Sequence, residues 1–171
     1  AQLGYLFLIF PLLASAAALP AAVMQAFAHG LAKAAMFLAA GVFIKATGED
    51  TVAALAGAAE RLPVTFFAFG LAGVTLIGLP PSSGFLAKWQ IISTALELGH
   101  WLLAVIVLAG GLLAAVYVFR ILMRGFMAGP NDAATVNAPR LLEWSALLLA
   151  AASVLLGLRG IELVRLVGAA T

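Results

Sequence analysis

Long apolar runs dominate the chain, and polar residues punctuate them only briefly. A helix crossing the hydrocarbon core of a bilayer needs about 20 mostly apolar residues. On that measure the pattern predicts six spans, at 2–19, 20–46, 62–79, 81–98, 100–124 and 140–158. Pro11 falls inside the first and should kink it. Pro20 opens the second, where a missing N–H has no helical partner to lose. The connection 47–63 reads T-G-E-D-T-V-A-A-L-A-G-A-A-E-R-L-P, a turn followed by a short helix on the membrane surface, started by Asp50 or Thr51. Residues 125–139, rich in Gly, Pro and Asn, read as a loop. That loop separates the region 1–124 from 140–171, the last span with a short tail. Charges at 159, 162 and 165 with Leu and Val between them suit a brief interfacial helix.

Composition agrees with the pattern. Of 171 residues, 65% are hydrophobic and 9% charged, against about 25% charged in soluble domains. A soluble core of this length could not hide that much apolar surface, which excludes a soluble enzyme, a disordered region and a nucleic-acid binder. Net charge is only +2, too small to imply an acidic partner. Without cysteine there is no thiolate metal site and no cysteine nucleophile. The chain begins at Ala1, and no basic stretch precedes the apolar run from Leu3, so the start does not read as a signal peptide. It reads as a piece of a longer protein.

The spans are rich in Ala and Gly, which lets helix backbones approach closely and suggests packing against protein on several sides. Tyr5, Trp89, Trp101 and Trp144 lie near span ends and fit an aromatic belt. Alternation of the six spans puts Lys45, Arg61, Arg159 and Arg165 on one side and Arg120, Arg124 and Arg140 on the other. That split leaves the orientation open.

Two charges fall inside spans. Lys33 sits in the middle of the second and Lys88 in the middle of the fourth. A lysine at the bilayer centre costs about 2.5–3.5 kcal/mol, so the pair costs about 5–7 kcal/mol and implies a use. Gln25, His29 and Lys33 follow at i, i+4 and i+8 and form one row on a helix face about 12 Å long. Met36, Phe37 and Ala40 continue that face without polarity, so the row enters from one side and stops near the midplane. Such a half-path suits protons, because imidazole and a desolvated amine can both take up and release them. The fourth span opens with Pro80, Pro81 and Gly84, which break helix geometry. Irregular backbone at membrane depth is tolerated only inside protein or beside a wet cavity. A broken helix with a buried charge is the usual pointer to a transport site. On a regular helix Lys88 points away from the face carrying Ser83, Gln90, Ser93, Thr94 and Glu97, so its partner must come from elsewhere. Glu97 and His100, at the end of the fourth span, are candidates for an exit or coupling point beside a plainer reading as solvated groups. Ser82 and Ser83 beside Gly84 raise a remote alternative, an intramembrane serine protease.

Three stretches carry a family likeness. Gln2-Leu3-Gly4-Tyr5, then His29-Gly30-Leu31-Ala32-Lys33 with Met36-Phe37-Leu38, and Gly78-Leu79-Pro80-Pro81-Ser82-Ser83-Gly84-Phe85-Leu86-Ala87-Lys88 occur in that order. Together they resemble the antiporter-like proton-translocating subunits of respiratory complex I, Mrp-type sodium/proton antiporters and membrane-bound hydrogenases. The likeness covers the C-terminal half of that fold, its ninth to fourteenth helices. It implies an all-α polytopic membrane protein with about six transmembrane helices, one of them broken. Residues 1–124 would form the second five-helix repeat. It further implies a hydrated midplane chain in which Lys33 is the central lysine, His29 a link and Lys88 the terminal lysine. Expected partners are the lipid bilayer, other membrane subunits of an NADH-quinone oxidoreductase-type complex and a missing N-terminal half. The expected location is a bacterial or archaeal cell membrane. No cofactor, metal or catalytic residue is expected on this chain, which should not itself bind NADH or quinone. The alternatives are an Mrp-type antiporter or hydrogenase subunit, or a structural membrane-arm subunit without conduction. Lysine at position 88, where some members carry glutamate, argues against those subtypes.

Overall fold

The computed structural model describes residues 2–129, 139–160 and 162. The chain opens with a 3₁₀ helix, Gln2–Leu12, that contains Pro11. Six α-helices follow among the described residues: α1 (Ala18–Thr47), α2 (Ala58–Arg61), α3 (Pro63–Ile77), α4 (Ser83–Glu97), α5 (Trp101–Phe126) and α6 (Arg140–Leu158). Among the described residues there is no strand, and α1, α5 and α6 are each long and apolar enough to cross a membrane. Of the expected loop 125–139, residues 130–138 lie outside the described residues, as does the tail beyond Gly160 apart from Glu162. The fifth helix runs on through Gly125 to Phe126.

The first span differs from expectation. Its helix stops at Leu12, turns lead through 13–17, and α1 starts at Ala18, so Pro20 is its third residue. The N–H it lacks is still one of the first four that have no helical acceptor. In the 47–63 connection, Thr51 precedes a short 3₁₀ turn, Val52–Leu55, without capping it. Its hydroxyl turns back instead to the Glu49 carboxylate at 3.2 Å.

The third and fourth predicted spans form one crossing, not two. Nε and Nη2 of Arg124 each donate to the Ala53 carbonyl at 3.2 Å. The Gly57 N–H donates to the Met127 carbonyl at 2.8 Å. The 53–61 connection and the end of α5 therefore share one side of the bundle. Between them the chain must leave that side and return; α5 is the return, so α3 and α4 together are the outward passage. Each has 15 residues, about 22 Å of helix, short of the ~30 Å core. They touch each other less than either touches α1 or α6, as helices laid end to end should. The charge arrangement changes with the topology. Thr65, at the start of α3, donates to the Glu143 carboxylate at 2.8 Å, which puts the start of α6 at that same end. Lys45, Arg61, Arg120, Arg124 and Arg140 thus gather toward one end of the bundle.

α1 is the central helix and packs against α3, α4, α6 and the 3₁₀ helix. Ala32, Ala35, Ala39 and Val42 are fully buried there. On α6 the buried residues are Ala146, Ala150, Ser153 and Gly157, one stripe of small side chains facing α1 and the α3–α4 pair. In lipid such stripes bring backbones together, because contact and polar bonds replace the hydrophobic drive. The outer face of α5, with Leu112, Leu113 and Val116, is exposed and suits contact with acyl chains.

Candidate functional site

The break between α3 and α4 is built from its own sequence. α3 ends at Ile77, and Gly78 takes a left-handed conformation, φ 87°, which glycine adopts without penalty. Its N–H and that of Leu79 both donate to the Val74 carbonyl at 3.0 Å. In a continuous helix the carbonyls of Leu76 and Ile77 would accept from residues 80 and 81. Both of those are proline and have no N–H. α4 restarts at Ser83, and Ser82 caps it by accepting from the Phe85 N–H at 3.2 Å.

Lys88 supplies the donors that the prolines lack. Its Nζ donates to the Leu76 carbonyl at 2.7 Å and to the Ile77 carbonyl at 2.8 Å. The side chain is 6% exposed. An ammonium at the negative end of a helix dipole is a favourable pairing, and it satisfies two carbonyls otherwise orphaned at depth. The expected partner from another helix is therefore found, and it is backbone rather than a carboxylate. Gly78 makes room for this side chain, since a Cβ there would run into the Lys88 Cδ. The break sits beside Gly111 of α5, where an added Cβ would approach the Ile77 carbonyl at 3.1 Å and Lys88 Nζ at 3.7 Å. Gly111 lies ten residues into the 26-residue α5, about 15 Å from its start, so the break is deep.

Ser83 and Lys88 mark the two edges of one broad buried face on α4, not opposite sides of it. Ser83 donates to the Ser153 carbonyl of α6 at 2.5 Å. Ser82 donates to the Leu79 carbonyl at 2.7 Å. Both hydroxyl protons are thus engaged with backbone, and neither hydroxyl bonds a histidine among the described residues, as a protease nucleophile would. Pro80 and Pro81 are exposed at the break. Gly84 lies against the Thr75 carbonyl, where no Cβ would fit. Glu97, the last residue of α4, and His100 just after it are exposed.

The α1 row is present, but it spirals. Successive i, i+4 steps advance about 40° around a helix, so the row leaves the core as it climbs. Gln25 is 2% and His29 9% exposed, Lys33 is half-buried, and Phe37 is 72% exposed. Lys33 is the sixteenth of thirty residues in α1, the middle of the helix. Its Nζ stands 5.6 Å from the Phe37 ring centroid. Two polar atoms in the buried part of the row, Gln25 Oε1 and His29 Nδ1, have no hydrogen-bond partner among the described residues, and neither has Gln90 Oε1 on α4. No hydrogen bond joins Lys33 to Lys88.

Two residues of the Gln2–Tyr5 motif belong to the Lys88 surroundings, which the hydropathy pattern did not suggest. Gln2 Nε2 donates to the Leu76 carbonyl at 2.9 Å. The Tyr5 ring centroid lies 5.8 Å from Lys88 Nζ, and its hydroxyl donates to the Val107 carbonyl at 3.2 Å. Tyr5 is 4% exposed, so it is no part of an aromatic belt. Trp89 is exposed but sits beside the deep break, stacked on Phe85 at 6.2 Å. Trp101 and Trp144 do lie at helix ends and are exposed. The available signal was spacing: on a 3₁₀ helix residues i and i+3 eclipse, so Gln2 and Tyr5 share a face.

An all-helical polytopic membrane protein with an interrupted helix and a lysine returned onto the break is thereby defined. The family described as NADH:quinone oxidoreductase/Mrp antiporter, TM matches residues 1–114, and the chain belongs to that family. It is 34% identical over 140 residues to NADH-quinone oxidoreductase subunit N of Desulforudis audaxviator, covering 81% of this chain and 28% of the relative. It is 36% identical over 163 residues to NADH-quinone oxidoreductase subunit L of Mycobacterium tuberculosis, covering 91% and 25%. A subunit in the structure of the Mrp complex from Dietzia sp. DQ12-45-1b superposes with a TM-score of 0.81 at 25% identity, covering 98% of this chain and 39% of that one. The chain spans about a quarter of the length of the curated relatives it matches.

Proposed function

We propose that this chain forms the part of a cation-translocating membrane subunit in which protons move along Gln25, His29, Lys33 and Lys88 with intervening water. One observation carries the reading: buried polar atoms of Gln25 and His29 are unpartnered among the described residues on the same helix as a mid-membrane lysine. A buried polar atom left without a partner costs about 1–3 kcal/mol. Water is the ligand that removes that cost where the site is polar, and a hydrated row ending at Lys33 is a route for protons. Lys88, held at the deep break, is the second station. Membership of the family supports cation translocation, and the kinship to multi-subunit complexes supports neighbouring membrane subunits as partners. The bacterial relatives favour a bacterial cell membrane. The reading assigns no cofactor to this chain.

The test uses the full protein within its complex, in inverted membrane vesicles with a fluorescent ΔpH probe. Lys33→Ala and Lys88→Ala should each abolish ion-linked acidification while the complex still assembles. Unchanged transport in both variants with impaired assembly would establish a structural membrane-arm subunit instead. Likeness to the Mrp complex favours a second reading of the energy source, sodium/proton exchange. A sodium pulse that dissipates ΔpH without any redox substrate supports it, and a strict requirement for NADH excludes it.

A further inference from the structure

The Leu76 carbonyl accepts two donors from different parts of the chain, Lys88 Nζ at 2.7 Å and Gln2 Nε2 at 2.9 Å. The same amine faces the Tyr5 ring at 5.8 Å. Tyr5 is tied from behind: its hydroxyl donates to the Val107 carbonyl in the space that Gly110, without a Cβ, leaves for it. The ring is also buried, only 4% exposed. A desolvated ring face attracts an ammonium and has no comparable pull on a neutral amine. A carbonyl at the end of a half-helix needs a donor at all times, and Gln2 can remain bonded to it when the lysine departs.

We propose that Gln2 and Tyr5 are positioning residues for Lys88: Tyr5 seats its charged form, and Gln2 keeps the Leu76 carbonyl satisfied so that the amine can leave. This rests on Lys88 being a station for translocated charge. Neither residue carries the ion. Both set how firmly the lysine is held at the break and how readily it is released.

The experiment uses the full protein in its complex in vesicles, with initial transport rates normalised to the amount of assembled complex. Tyr5→Phe keeps the ring face and loses only the hydroxyl, so its rate should stay within about twofold of wild type. Tyr5→Leu removes the ring face and should lower the rate about tenfold. Tyr5→Met is a second ring-free side chain should the leucine variant fail to assemble. Gln2→Met, of similar length without a donor, should lower the rate about threefold. Rescue by phenylalanine but not by leucine or methionine separates seating of a cation from space-filling. Equal rates for Tyr5→Phe and the ring-free variants overturn the proposal, as does a wild-type rate for Gln2→Met. Lys88→Ala in the same series keeps the two levels apart. If it transports normally, the underlying reading fails; if it is inactive while the Tyr5 variants are alike, only the positioning roles fail.

Discussion

Gly157 is where α6 meets the break, and replacing it with alanine tests how tightly the two are joined. An added Cβ there would overlap the Pro81 carbonyl oxygen and the backbone at Ser82 and Ser83. Every one of those atoms is main chain, so no side chain can rotate away. To regain an ordinary carbon contact distance α6 must retreat by about 1 Å. That displacement strains the two bonds that tie it to the break, Thr75 Oγ1 with Ser153 Oγ at 2.9 Å and Ser83 Oγ to the Ser153 carbonyl at 2.5 Å. Overpacking costs about 1–3 kcal/mol, and interhelical bonds in membrane proteins contribute about 0.6–1 kcal/mol each. The sum is about 2–5 kcal/mol. Gly41 is the control, because an added Cβ there meets nothing within 4 Å. Within the helix, Gly41→Ala should gain about 0.5–1 kcal/mol from the stiffer backbone. Unfolding of purified protein by sodium dodecyl sulfate, followed by the fluorescence of its three tryptophans, Trp89, Trp101 and Trp144, reads both. The expected order of midpoints is Gly41→Ala at or above wild type, and Gly157→Ala well below it. A Gly157→Ala midpoint equal to wild type would refute the close approach of α6 to the break.

The remaining predictions concern the same break and the membrane around it. Gly84→Ala drives a Cβ into the Thr75 carbonyl and should sharply reduce the steady amount of protein in membranes; wild-type abundance on an immunoblot would contradict that contact. The end carrying Lys45, Arg61, Arg120, Arg124 and Arg140 should face the cytoplasm, because basic residues near span ends set orientation. The chain has no cysteine, so single cysteines at Asp50 and His100 report it. An impermeant maleimide should label His100→Cys on intact cells and Asp50→Cys only after permeabilisation, and the reverse pattern would refute the orientation.

Much of the helical content could be read from hydropathy, because apolar runs in lipid admit little but helix. The crossing count could not. Residues 62–79 and 81–98 are each nearly long enough to span, and a hydropathy window cannot tell two crossings from two halves of one. What decides it is contact across sequence, Arg124 on Ala53 and Gly57 on Met127. Those contacts also overturn the alternating division of basic residues. The Gln25–His29–Lys33 spacing puts three polar residues along α1, yet constant spacing hid the outward drift that leaves Lys33 half-buried. Tyr5 read as a belt residue because only its distance from a span end was visible. Its contact with Lys88 depends on a helix more than eighty positions away.

The two lysines answer the cost of a buried charge differently, and the contrast follows from backbone chemistry. Pro80 and Pro81 delete the two N–H groups that Leu76 and Ile77 would have used, and they do so at a depth where water is scarce. Something must donate to those carbonyls, and a cation there also meets the negative end of the α3 dipole. Lys88, one and a half turns into the next half-helix, reaches both. Break and charge are thus mutual compensations: the prolines create acceptors that a lysine can satisfy, and the lysine stabilises an interruption that lipid would otherwise disfavour. Lys33 has no such arrangement. It stands on an unbroken helix, its Nζ 5.6 Å from the Phe37 ring centroid, one turn from the buried His29 whose Nδ1 has no partner among the described residues. One amine is thus held by two backbone carbonyls beside a break, and the other stands half-buried on a continuous helix.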